Sequence, residues 1–129
     1  MKIGEIARAS GISPRMIRHY ESLGLIPNPG REASNYRSYA ATDLDRLRFI
    51  RRARDLGFPL PEIASLISLW QNPSRASAEV KALALARART LQTQVAELEA
   101  MRASLEALAA ACHGDDQPEC AILSTLAKP

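Results

Sequence analysis

Leu91, Leu98, Leu105 and Cys112 recur every seventh residue, with Ala88, Val95 and Met101 interleaved, and this spacing constrains the chain more than any other feature. A heptad seam is the pattern of a coiled coil, in which apolar side chains of one helix seat between those of another. The pattern runs from about Ser77 to Ala111. At 1.5 Å per residue it predicts a helix of roughly 50 Å, far beyond what a small core can cover. Such a helix needs a partner chain. A homodimer is the simplest, and packing onto the chain's own third and fourth helices would account for part of the seam only. The 129 residues allow one ordinary domain, or a small domain plus an appended helix. Only 5% of the residues are aromatic, and the richness in Ala, Leu and Arg predicts a mainly α protein.

Charge divides the chain into two parts of opposite sign. Up to Phe58 there are eleven Lys/Arg against six Asp/Glu, net +5; from Pro59 onward six against eight, net −2. A basic half followed by a mildly acidic half points to nucleic acid at one end and another task at the other. The segment Met1-Lys2-Ile3-Gly4-Glu5 lacks the apolar run of a signal peptide, and no stretch approaches the length of a membrane span. No membrane partner is expected, and the expected location is the cytoplasm.

The basic half has its own punctuation. Ile3, Ile6 and Ala7 share a helical face, and Gly11 is placed to end that helix in the left-handed conformation. Ser13-Pro14 supplies a capping hydroxyl and a proline at the first helical position, predicting a second helix from Pro14 to Leu23, closed by Gly24. Two short helices joined by a tight glycine turn form a helix-turn-helix. The second would carry Arg15, Arg18, His19 and Tyr20, with Met16, Ile17 and Leu23 toward the core. Arg15 and Arg18, three apart, share a face able to reach phosphates or base edges in a major groove.

Pro27, Pro29 and Gly30 forbid helix, and the run around Asn35-Tyr36-Arg37-Ser38-Tyr39 reads as a small β-hairpin, a wing offering Arg31 and Arg37 to the DNA backbone. A third helix is expected over about 41–56, with Leu44, Leu47, Ile50 and Ala53 inward and most of its arginines outward, stopped by Gly57. A fourth, Leu60 to Trp70, would bury Ile63, Leu66, Ile67 and Trp70. The resulting division is a winged helix-turn-helix domain at 1–71, a hinge at 72–76, the long helix at 77–111 with Ser77 as its cap, and a terminal segment at 112–129 made of a loop, a candidate for metal binding, and a short C-terminal helix.

That last segment holds the only two cysteines, Cys112 and Cys120, at the ends of the loop His113-Gly114-Asp115-Asp116-Gln117-Pro118-Glu119. Read alone, the pair is compatible with a disulfide, with core thiols or with metal ligands. A reducing compartment favours free thiolates or a metal site. A thiol oxidoreductase would be expected to show a close Cys-x-x-Cys pair on a βαβ scaffold, which is missing, so an enzyme is not expected.

Ile3-Gly4-Glu5-Ile6-Ala7, Arg18-His19-Tyr20-Glu21, Gly24-Leu25-Ile26, Tyr36-Arg37-Ser38-Tyr39 and Asp55-Leu56-Gly57-Phe58, in this order, resemble the MerR family of bacterial transcription regulators. Within it, the chain is similar to the copper-responsive branch, the copper efflux regulators. That branch carries two cysteines with seven residues between them after the dimer helix, matched by Cys112 and Cys120. It also has a serine at the start of the helix and a lysine one turn on, matched by Ser77 and Lys81. Mercury-responsive relatives place a third cysteine where Ser77 stands, and iron–sulfur sensors need four. Asn35 replaces a usual wing glycine, and Ala40 replaces the usual hydroxyl cap of the third helix, leaving Thr42 or Asp43 to help.

The resemblance implies an antiparallel coiled-coil homodimer that binds double-stranded promoter DNA through Arg15, Arg18, Tyr20, Arg31, Tyr36 and Arg37, and works with bacterial RNA polymerase. It implies Cu(I), with Ag(I) or Au(I) as mimics, held by Cys112 and Cys120 near Ser77 and Lys81 of the second protomer. Two thiolates suit a soft, low-coordinate monovalent ion better than zinc. A bis-thiolate around a +1 ion keeps a negative charge that a helix N-terminus and an ammonium favour. The resemblance also implies activation of copper-efflux genes by distorting an overlong promoter spacer. The alternative is a response to another thiophilic metal or to thiol oxidation.

Overall fold

The helices begin and end where local chemistry dictates. A computed structural model of the chain describes residues 1–27, 30–31 and 37–129. Its elements are α1 (Ile3–Ser10), α2 (Pro14–Ser22), β1 (Gly30–Arg31), β2 (Arg37–Ser38), α3 (Ala41–Asp55), α4 (Leu60–Trp70), α5 (Ser77–Ala111) and α6 (Ala121–Leu126). The chain forms two units, Met1–Ala84 and Leu85–Pro129.

In the first unit α1 stops at Gly11, whose φ of +73° is one that a side chain resists. Ser13 Oγ accepts the Met16 N–H at 3.2 Å and caps α2, and Pro14 occupies the first turn. Gly24 and Gly57 take the same left-handed conformation after α2 and α3. At the start of α3 the Ala40 side chain offers no acceptor. The Asp43 carboxylate instead reaches back to the Ala40 N–H at 2.9 Å, which is half of a capping box. The two short strands pair antiparallel, Gly30 opposite Ser38 and Arg31 opposite Arg37.

Helix α1 packs on α2 and α3, and α3 packs on α4. Their shared core holds Ile6, Ile17, Tyr20, Ile26, Tyr39, Leu47, Ile50 and Ile63. Each large apolar side chain buried in this way stabilises the fold by about 1.5–3 kcal/mol. Two expectations are corrected. Leu23, predicted to face inward, is 51% exposed, because α2 ends at Ser22 and Leu23 already belongs to the cap. Trp70 is 40% exposed and stacks flat on Phe49, with ring centroids 4.5 Å apart, at the edge of the core.

A third correction concerns the start of α5. Ser77 takes the first helical position, and the Glu79 N–H bonds the Ala76 carbonyl at 3.1 Å, so the cap falls to Ala76. Glu79 stands in the first turn, where the helix dipole favours a carboxylate.

In the second unit the seam lies exposed. Leu91, Val95, Leu98, Met101 and Leu105 are 40–63% exposed, and α5 buries no residue anywhere along its length. Among the described residues no helix is long and apolar enough to cross a membrane.

Candidate functional site

The exposed face of α2 is built by its register. With Ile17 and Tyr20 turned into the core, Arg15, Arg18 and His19 are left in solvent. Arg15 and His19 are one turn apart, so both point the same way, and Arg18 stands beside them. Tyr20, expected at the nucleic-acid surface, is only 3% exposed, and its ring lies at a tilt beside the His19 imidazole, centroids 6.2 Å apart. Its ring belongs to the core, and His19 takes the outward position beside it. The i, i+4 spacing from Arg15 is the sequence signal that places His19 on this exposed face.

Arg31 and Arg37 enter through their backbone pairing across the wing. Tyr36, like Asn35, lies outside the described residues. Behind the wing the Tyr39 hydroxyl donates to Glu21 Oε1 on α2, and both residues are buried. Arg51 Nη1 donates to the Ser10 carbonyl at 3.2 Å, so the guanidinium lies across the helix-turn-helix turn. A Cβ on Gly11 would fall 1.7 Å from that nitrogen, so the flexible end of Arg51 would have to move aside; it is the φ of +73° that requires glycine.

The cysteines are brought together by the loop between α5 and α6. Cys112 directly follows α5, its N–H bonding the Ala109 carbonyl at 3.2 Å. The chain then reverses through Gly114 at φ +65°, and Asp115 Oδ1 accepts the Gln117 N–H at 2.9 Å to close a local turn. Cys120 sits at the cap position of α6, its carbonyl accepting the Ser124 N–H at 3.0 Å. This places Cys112 Sγ 3.7 Å from Cys120 Sγ, both thiols free and half-buried.

The amide of Leu123 does most to hold the Cys120 thiol below its ordinary pKa; the Cys112 thiol and the Ile122 amide add to this, against partial desolvation. The physical cause is the start of α6, whose unpaired N–H groups stabilise a thiolate without closing into a full cap bond.

The donor set fits a soft ion of low coordination. Among the described residues no three His, Cys, Asp or Glu side chains converge, so the chain itself brings two donors together here. A metal–sulfur bond of about 2.3 Å makes the linear S–M–S span about 4.6 Å, and a bent, near-tetrahedral one about 3.8 Å. The observed 3.7 Å therefore suits a bent pair directly and a linear pair after the loop opens by about 0.9 Å. It also lies well beyond the roughly 2.05 Å of a disulfide. Ser77 and Lys81 are exposed and belong to the first unit, whereas both cysteines belong to the second.

Comparison with known proteins gives a consistent result. Residues 1–69 match the model of the MerR HTH family regulatory proteins, and residues 44–108 match that described as MerR, DNA binding. The HTH-type transcriptional regulator HmrR of Sinorhizobium medicae is 48% identical over 128 residues, covering 99% of this chain and 87% of its own. CueR of Escherichia coli O157:H7 is 39% identical over 126 residues, covering 98% and 93%. Among solved structures, the regulator PbrR691 of Ralstonia metallidurans in complex with lead(II) superposes with a TM-score of 0.85 at 38% identity, over 98% of this chain and 99% of the other.

Proposed function

This chain belongs to the MerR family of helix-turn-helix transcriptional regulators, and from that premise we propose that it is a homodimeric, cytoplasmic activator that senses Cu(I), and Ag(I) or Au(I) as mimics, through Cys112 and Cys120. It is a DNA-binding, metal-responsive regulator and not an enzyme. The single observation that carries the finer reading is the approach of two free thiols to 3.7 Å with no third donor beside them among the described residues.

Two thiolates around a monovalent ion keep a net charge of −1, whereas a divalent ion leaves the pair neutral. Ser77, with the free N–H groups of the α5 start, and Lys81 of the second protomer supply the positive potential that favours the anionic complex. The exposed seam of α5 supports an antiparallel coiled coil, since each uncovered leucine gains about 1.5–3 kcal/mol when buried against a second copy.

In the dimer two α2 helices address a two-fold symmetric promoter, Arg15 and Arg18 in the major groove and Arg31, Tyr36 and Arg37 of each wing on the backbone. An ion held by Cys112 and Cys120 would tie the two ends of the loop together and so restrict the start of α6. The resulting rotation of the DNA-binding halves kinks and untwists the promoter spacer, bringing its two elements into register for RNA polymerase. Sequence preference then rests in part on the deformability of that spacer. The genes served are those of copper efflux and detoxification.

A second reading has one specific support. The lead(II) complex of PbrR691 favours a thiophilic divalent ion as the alternative signal. Anaerobic titration separates the two. One equivalent of Cu(I) per protomer should protect both thiols from alkylation at neutral pH; protection by Pb(II) or Hg(II) and not by Cu(I) overturns the assignment.

A further inference from the structure

Glu21 and Tyr39 form a buried polar pair at the edge of the apolar core, and neither is used by the metal site or the outward face of α2. Glu21 is 7% exposed and Tyr39 is 3% exposed, and the phenol donates to Glu21 Oε1. A buried carboxylate is costly unless hydrogen-bonded, and an apolar pair of similar size often supports a fold equally well. What the polar pair adds is a fixed distance and direction.

The two residues stand at the roots of the two DNA-facing elements. Glu21 is one helical turn beyond Arg18 on α2. Tyr39 comes directly after β2, two residues beyond Arg37, a reach of about 7 Å along extended chain. Tyr39 is pinned a second time by its N–H, which donates to the Met1 carbonyl at 2.7 Å ahead of α1, and a third time by its ring in the core.

We propose that the Tyr39–Glu21 hydrogen bond is a positioning device that fixes the wing relative to α2, so that the wing arginines and those of α2 grip the DNA backbone in one register. The inference rests on the proposed contact between the wing and DNA. Loss of the bond leaves both elements folded, with Tyr39 still held by its N–H and its ring, but loosens the register between the wing and α2, and the wing's phosphate contacts are the ones lost.

The test is promoter binding by the full-length dimer as a function of salt. Tyr39→Phe removes one oxygen and should weaken binding about tenfold. Losing one phosphate contact per protomer should also flatten the slope of log K against log salt by about 2. Glu21→Gln keeps an acceptor for the phenol and should stay within about twofold of the parent protein. If Tyr39→Phe melts below the assay temperature, Tyr39→Phe/Glu21→Met, apolar on both sides, carries the same expectation. Arg37→Ala serves as the reference for the wing itself. A folded Tyr39→Phe protein with unchanged affinity and slope, beside an Arg37→Ala protein that weakens, overturns the positioning role alone. Unchanged slopes in both overturn the wing grip and the positioning role together.

Discussion

Cys120 Sγ lies 3.7 Å from Cys112 Sγ, and the two sulfurs differ in surroundings: Cys120 begins α6, whereas Cys112 comes just after the end of α5. The amides of Leu123 and Ile122 lower the Cys120 pKa, so its thiolate is populated below the pH at which an ordinary cysteine, near 8.5, ionises. The metal-free protein should therefore show a Cys120 alkylation rate that reaches half its maximum below that pH. Leu123→Pro, which deletes the amide N–H that contributes most while leaving proline in a first helical turn, should move the midpoint upward. Mass-spectrometric alkylation profiles against pH check both; an unmoved midpoint in Leu123→Pro contradicts the assigned cause.

Division of labour between the two units makes a second expectation. Cys112→Ser and Cys120→Ser change one atom each, far in sequence from α2 and the wing, so promoter affinity should stay within about threefold while metal-induced transcription disappears. Gel-shift and in vitro transcription assays on the same preparations measure the two quantities. Affinity falling in step with activation would show that the cysteines hold the fold and not a signal.

The seam of α5 supplies a third. Leu98 is 63% exposed in the single chain and Leu105 is 61% exposed, so an isolated protomer leaves them in water. Leu98→Asp should cost about 1.5–3 kcal/mol for each of the two copies, with a further penalty for any charge left in the interface. Sedimentation equilibrium should register a monomer–dimer equilibrium shifted toward monomer by at least two orders of magnitude. A dimer as tight as the parent's would mean that the seam is covered by something else.

The opposite placement of Tyr20 and His19 on α2 gives the fourth. Tyr20→Ala empties a core position and should destabilise the protein by about 3–5 kcal/mol in urea unfolding. His19→Ala, on the exposed side of the same helix, should leave the unfolding midpoint within experimental scatter and weaken promoter binding severalfold. The opposite pattern would restore Tyr20 to the DNA surface.

Much of the first unit was legible because its boundaries are set by local chemistry. Gly11, Ser13-Pro14 and Gly57 act through φ, a capping hydroxyl and a ring, all of which a sequence displays. Asp43 as substitute for the missing cap at Ala40 was equally readable. What failed was the choice of face in a short helix. In α2 Met16, Ile17 and Leu23 suggest the inward face, but the helix ends before Leu23, and Tyr20 together with Glu21 takes the inner positions. A buried glutamate is invisible to hydrophobic patterning, because its cost is offset by a phenol eighteen residues away. The cysteine loop was legible as a pair with turn residues between, while the spacing of its sulfurs depends on how α6 starts, which the sequence shows only weakly.

The most direct test of the account is transcription in vitro from the cognate promoter with purified RNA polymerase under anaerobic conditions, adding Cu(I), Ag(I), Zn(II), Pb(II) and Hg(II) in turn. Activation by the monovalent ions, absent in Cys112→Ser and Cys120→Ser, is the predicted result. Activation by Zn(II), Pb(II) or Hg(II) without a response to Cu(I) would contradict it.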